Sequence, residues 1–185
     1  MKRIVLAIFV ILAVGALYAQ ESESFTITVT VNYIDFSLRN AADSAPYPNW
    51  PIDNVNAGAT SEMTTTSVGT HILVDNESNV ALDFETYSTS LAPTACGFGT
   101  PTAWVAGAAS GVDTYLLEMG VGDVSTAPAT GDYDIIDGAS LPAADLVNST
   151  VAGESWRLYS KLTAPLTASD GCEHTITVFV VATTP

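Results

Sequence analysis

His71 and His174 are the only imidazoles in the 185-residue chain, so a histidine-assisted hydrolase would have to be built on one of them. Such an enzyme presents its nucleophile on a strained strand-to-helix turn, and no Gly-x-Ser-x-Gly elbow is present. Each His is therefore expected at a strand start, half solvated. Cys172 and His174, together with His71, have the residue types of a blue-copper centre. That chemistry usually adds a weak axial Met beyond the downstream His, and no Met follows His174. Cys96 and Cys172 are read more simply as one intramolecular disulfide. In the loop-entropy view, closing roughly 77 residues restricts the unfolded chain by about 4 to 5 kcal/mol. An intermolecular bridge or two free thiols are the alternatives.

Asp132, Asp134 and Asp137 place three carboxylates within Gly131–Gly138. Calcium takes six to eight oxygens, and three carboxylates with nearby carbonyls supply part of that set. The spacing is not that of an EF-hand loop, and a solvated acidic turn is the plainer reading. No other cofactor is expected. Asp83 and Glu85 could serve as paired acids for glycoside hydrolysis, but they alternate with Val80, Leu82 and Phe84, which an ordinary wet strand face explains better. Trp50, between Pro48 and Pro51, is a candidate exposed platform for a sugar ring, against packing as a loop anchor.

The elements that must position these residues show a period of two. Phe25, Ile27, Val29, Val31 and Tyr33 alternate with Thr26, Thr28, Thr30 and Asn32, which predicts a half-buried strand. The phase then slips to Ile34, Phe36 and Leu38, as a bulge or bend would require. Further strands are expected at His71–Val74, Val80–Tyr87, Ala103–Ala106, Thr114–Val121, Tyr133–Ile136, Trp156–Leu162 and His174–Ala182, with a short helical turn at Asp145–Ser149. Gly, Pro, Asn and Asp clusters separate them. Seven to nine strands without alternating helices predict an all-β antiparallel sandwich, jelly-roll or immunoglobulin-like, with a β-barrel as the alternative.

Composition places this domain. The chain is 48% hydrophobic, with 20 acidic and 5 basic residues. Lys2 and Arg3 precede the apolar run Ile4–Leu17 and the small residue Ala19, the parts of a cleaved signal peptide over residues 1–19. The run is shorter than the roughly 20 residues a membrane span needs. Residues 20–185 are then expected to be a single secreted domain, extracellular or on the cell surface, with no later membrane span. Arg39, Arg157 and Lys161 remain against 20 acids, a formal charge of −17. Three scattered cations cannot neutralise a phosphate backbone, which excludes most nucleic-acid binding. Anionic lipid is disfavoured for the same reason.

The strand Phe25–Tyr33 lies directly behind the expected cleavage point. It can pair within its own sheet, with His174–Ala182 as the natural partner. It can also leave to complete the sheet of a neighbour, with Phe25, Ile27, Val29, Val31 and Tyr33 as donor residues. One donor and one acceptor per subunit form a head-to-tail contact that propagates into an open filament. The leader followed at once by a strand, the segment His71–Leu82 and the closing strand Thr175–Thr183 together resemble secreted β-sandwich fibre subunits of the TasA and camelysin kind. The resemblance implies an architecture and a structural role, and it carries over no residues. The cysteine pair and the scarcity of Lys depart from it. The expected function is a non-enzymatic subunit of an extracellular filament or surface layer, with copies of itself as partner. The alternative is a monomeric adhesion module for surface polysaccharide that uses Trp50.

Overall fold

Leu82, Phe84, Thr86 and Ser88 are buried while Asp83, Glu85, Tyr87 and Thr89 between them stay partly exposed, the two-residue period of a strand wet on one face. The same rule builds most of the molecule. The computed structural model describes residues 28–29, 31–52, 55–64, 71–93, 96, 98–123, 126–137 and 144–185. The expected leader Met1–Ala19 and the donor residues Phe25 and Ile27 lie outside them.

Among the described residues the protein is all-β, with ten strands and no helix: β1 (Phe36–Asn40), β2 (Thr60–Glu62), β3 (Ile72–Asn76), β4 (Leu82–Ser90), β5 (Val105–Ala106), β6 (Thr114–Gly122), β7 (Asp134–Ile135), β8 (Ala144–Thr150), β9 (Ser155–Thr163) and β10 (Ile176–Thr183). They form a compact unit spanning Asn32–Pro185. A strongly curled seven-stranded sheet runs β1-β3-β9-β6-β5, with β2 also on β9 and β7 on β6. A three-stranded sheet runs β10-β4-β8. Pairing between strands is antiparallel except for the short parallel pair β5–β6. This is the sandwich or barrel-like class that the alternation implies.

The core lies between the sheets. Phe84 is fully buried and meets Phe36 and Trp156 edge-on, with ring centroids 5.3 and 5.4 Å apart. Tyr115, Leu117, Met119, Leu158 and Tyr159 complete the same cluster. Two buried hydroxyls beside it are bonded: Ser88 Oγ and the Tyr115 hydroxyl are 2.9 Å apart, and Thr86 Oγ1 donates to the Phe179 carbonyl at 2.9 Å.

Three expectations are corrected. Asp145–Ser149 belongs to strand β8, not to a helical turn. Its pairing with β4 shifts register twice, between Leu82 and Phe84 and between Phe84 and Glu85, and Ser149 has a left-handed φ of 59°. Bulges of this kind erase the alternation that would have revealed the strand. Secondly, among the described residues β10 pairs with β4 alone, Ile176 opposite Ser90 and Thr183 opposite Asp83, and residues 28–29 and 31–33 take no part. Thirdly, the described part of Phe25–Tyr33 is irregular: Thr28, Val29 and residues 31–35 carry no strand, which begins only at Phe36.

Tyr33 is held within its own chain. Its amide donates to Asn79 Oδ1 at 2.8 Å, and the Asn79 amide returns a bond to the Tyr33 carbonyl at 3.4 Å. The Glu77 amide donates to the Asp35 carbonyl at 3.1 Å. Tyr33–Asp35 thus prolongs the β1–β3 pairing towards the turn after β3.

Candidate functional site

Asp170, Cys172 and His174 alternate with Gly171 and Glu173 in the extended stretch that leads into β10, so their side chains share one side. His174 Nε2 lies 2.8 Å from Asp170 Oδ1, and both side chains are almost wholly buried, 2% and 0% exposed. Asp170 also accepts the Thr102 amide on Oδ2 at 2.8 Å and the Cys172 amide on Oδ1 at 3.3 Å. The His174 hydrogen bond, and after it these two amides, hold the Asp170 carboxyl below its ordinary 3.8 in spite of burial. On its other side His174 stacks on Trp104, centroids 3.9 Å apart and planes 15° from parallel. His174 Nδ1 and Trp104 Nε1 are buried without a hydrogen-bond partner.

Cys96 and Cys172 form the expected disulfide, with Cα atoms 4.7 Å apart across 76 residues. Cys96 Sγ, Cys172 Sγ and a carboxylate oxygen of Asp170 all lie within 4.8 Å of one another. Covalent bridge, buried His–Asp pair and stacked indole therefore sit at one corner, where the end of β4 meets the start of β10. Trp104 also lines a shallow apolar hollow with Val55, Ala57, Ala164, Pro165 and Ala168.

The other candidate residues lie elsewhere. His71 is 3% exposed rather than half solvated, with Nδ1 3.4 Å from the Thr64 carbonyl and its ring 5.2 Å from Tyr159. Asp132, Asp134 and Asp137 are exposed, Asp134 on β7. They are not gathered: among the described residues, Cys96, Asp170 and Cys172 are the one convergent group of three or more such ligands. Asp134 stands opposite Met119 in the two-residue strand β7, and Asp132 and Asp137 lie outside that strand. Trp50 is half-buried and packs on the core, so it anchors its loop and is not an open platform. Lys161 is spent on Glu118 at 2.7 Å and Arg39 on Asp43, which leaves no basic patch between them.

Sequence reasoning missed Asn76, which falls between the expected strands His71–Val74 and Val80–Tyr87. Its side chain is buried, and Nδ2 donates to the carbonyls of Val80 at 3.1 Å, Thr150 at 2.9 Å and Val151 at 3.2 Å. Oδ1 accepts from the Ser78 amide at 3.0 Å and from the Ser78 hydroxyl. One amide thus ties the β3–β4 turn to the β8–β9 turn, where Gly153 takes a φ of +75° and its amide bonds the Asn76 carbonyl at 2.9 Å.

The edges of the small sheet differ. β8 carries bulges and Asp145 along its length. β10 is eight residues, Ile-Thr-Val-Phe-Val-Val-Ala-Thr, without charge, Pro or bulge, and among the described residues only β4 pairs with it. Ile176, Val180 and Ala182 of β10 pack on the core. Val178 has the same inward parity, opposite fully buried Ser88, yet it is 36% exposed.

These features define an all-β, disulfide-bonded protein of two sheets. No protein-family model, curated protein or solved structure matches the chain. No helix among the described residues is long and apolar enough to cross a membrane, and the disulfide fits an oxidising compartment.

Proposed function

We propose that the protein is an exported, non-enzymatic subunit of an extracellular filament or surface layer, in which β10 of one copy receives the N-terminal segment of the next. The observation that carries this reading is Val178, an inward-facing residue left 36% exposed on an uncharged strand that has one partner strand among the described residues. A strand added beside β10 covers it. Natural edge strands are usually blunted by charge, Pro or bulges, and β10 has none of these, whereas β8 has both charge and bulges.

The donor is Phe25–Val31. Tyr33 is excluded because it is bonded to Asn79 of its own chain. Val29 and Val31 are 75% and 73% exposed, and their two-residue spacing matches the pleat of an incoming strand. Backbone pairing along β10 supplies affinity, and the alternating apolar side chains fix register. A donor segment on one copy and an acceptor edge on the next make a head-to-tail contact, which propagates. The glycan-binding alternative loses support with Trp50 packed on the core.

The test compares residues 20–185 with residues 32–185 by negative-stain microscopy, with and without added salt to screen the net negative charge. The longer chain is expected to form fibres. The shorter is expected to stay monomeric while retaining its disulfide and β circular dichroism, and to bind a synthetic peptide of residues 20–31. Fibres from the shorter chain, or a monomeric longer chain in every condition, would overturn the proposal.

A further inference from the structure

We propose that Cys96, Asp170 and Cys172 form a zinc site in the dithiol state of the protein, so that Zn2+ and the disulfide are alternative occupants of one cluster. The three ligand atoms already lie within 4.8 Å of one another. Asp170 is pre-aimed: its buried carboxylate is held by the Thr102 and Cys172 amides and by His174 Nε2. Two sulfurs and one carboxylate oxygen are a zinc donor set, and sulfur selects against the hard cation calcium. Zinc takes four ligands in a tetrahedron, and the fourth place is open to water. His174 acts through Asp170, fixing the rotamer that points the carboxylate at the sulfurs, the kind of outer contact that tunes metal sites.

The chemistry balances as follows. A dithiol reductant delivers two electrons and two protons, breaks the Cys96–Cys172 bond and leaves two thiols, becoming a disulfide itself. Zn2+ then displaces both thiol protons and binds the thiolates. Oxidation by disulfide exchange reverses both steps, re-forms the bridge and expels the metal. A chain that has not yet formed its bridge would hold zinc at the corner where β4 and β10 meet.

The experiment titrates the full chain of residues 20–185 with Co2+ and then Zn2+, after reduction with a phosphine and removal of bound metal. One equivalent of Co2+ is expected to give thiolate-to-cobalt charge-transfer absorption that Zn2+ abolishes, and the oxidised chain is expected to give none. Cys96→Ser removes the two-thiolate signature. Asp170→Asn keeps one acceptor oxygen, enough for the Thr102 or the Cys172 amide but not both, and weakens binding by about tenfold or more. His174→Ala weakens it similarly, and His174→Gln, which can still donate to Asp170, restores it. If reduction unfolds the chain, metal is expected to bring back its β circular dichroism. Absence of charge transfer at one equivalent, no metal-driven refolding of an unfolded reduced chain, or Asp170→Asn binding as tightly as the parent would overturn the site.

Discussion

His174 Nε2 and Asp170 Oδ1 lie 2.8 Å apart in a pair sealed from solvent, between the Trp104 ring and the Cys96–Cys172 bridge. The folded state binds a proton on Asp170 less readily than the unfolded chain does, because its carboxyl is held below 3.8. The unfolded chain therefore takes up more protons in the acid range, and stability rises with pH there. The contribution is complete above about pH 4 and is lost as pH falls through the lowered value. Thermal unfolding between pH 2 and 6 is expected to show a steeper acid loss for the parent than for Asp170→Asn. Parallel profiles would show that the Asp170 carboxyl does not titrate with folding.

Asn76→Ala is expected to cost about 2 to 4 kcal/mol, since it removes a buried donor shared by three carbonyls, of which Val80 keeps the Ser78 hydroxyl and Val151 keeps the Glu154 amide. The Thr150 carbonyl is the clearest case, bonded to Nδ2 at 2.9 Å in a buried setting. Urea unfolding should move to a lower midpoint with an unchanged slope. A loss below about 0.5 kcal/mol, the range of ordinary surface changes, would mean that water replaces the amide.

Val178→Lys separates assembly from folding. The residue is 36% exposed, so the change is expected to shift Tm by only a few degrees while abolishing fibres. Lys also reduces the net negative charge, so repulsion between subunits falls and cannot explain a loss of fibres. Undiminished fibres from this variant would place the contact elsewhere than β10.

Much of the fold was legible where one face is buried and the other wet. Leu82 and Phe84, or Trp156 and Leu158, show their inward direction in the spacing alone, and both pairs are in the core. The bridge between Cys96 and Cys172 followed from counting. β8 was hidden because its bulges break the period that identifies a strand. Asn76 was hidden because two of its partners, Thr150 and Val151, stand 74 and 75 residues away, and a polar residue in a turn-rich stretch reads as solvated. The alternation of Phe25–Tyr33 left open whether it pairs with His174–Ala182 or with a neighbouring copy, because alternation alone carries no register. Ser90 and Tyr87, which do face β10, left no local mark of it. The His174–Asp170 contact was within reach: the spacing of Asp170, Cys172 and His174 in an extended stretch puts all three on one side.

The position of the bridge has a kinetic meaning as well. Ser90 and Ile176 are strand partners 86 positions apart. Cys96 lies six residues beyond the first and Cys172 four before the second, so the sulfur link turns two remote strands into a hairpin with a connection of about ten residues. Shortening the closure from 86 to about ten lowers its entropic cost by about 2 kcal/mol. Zippering of β4 against β10 thus becomes a local event once the thiols are oxidised, and a long-range, slow one before. The order of oxidation and strand pairing decides whether the edge that other copies would meet is formed early or last.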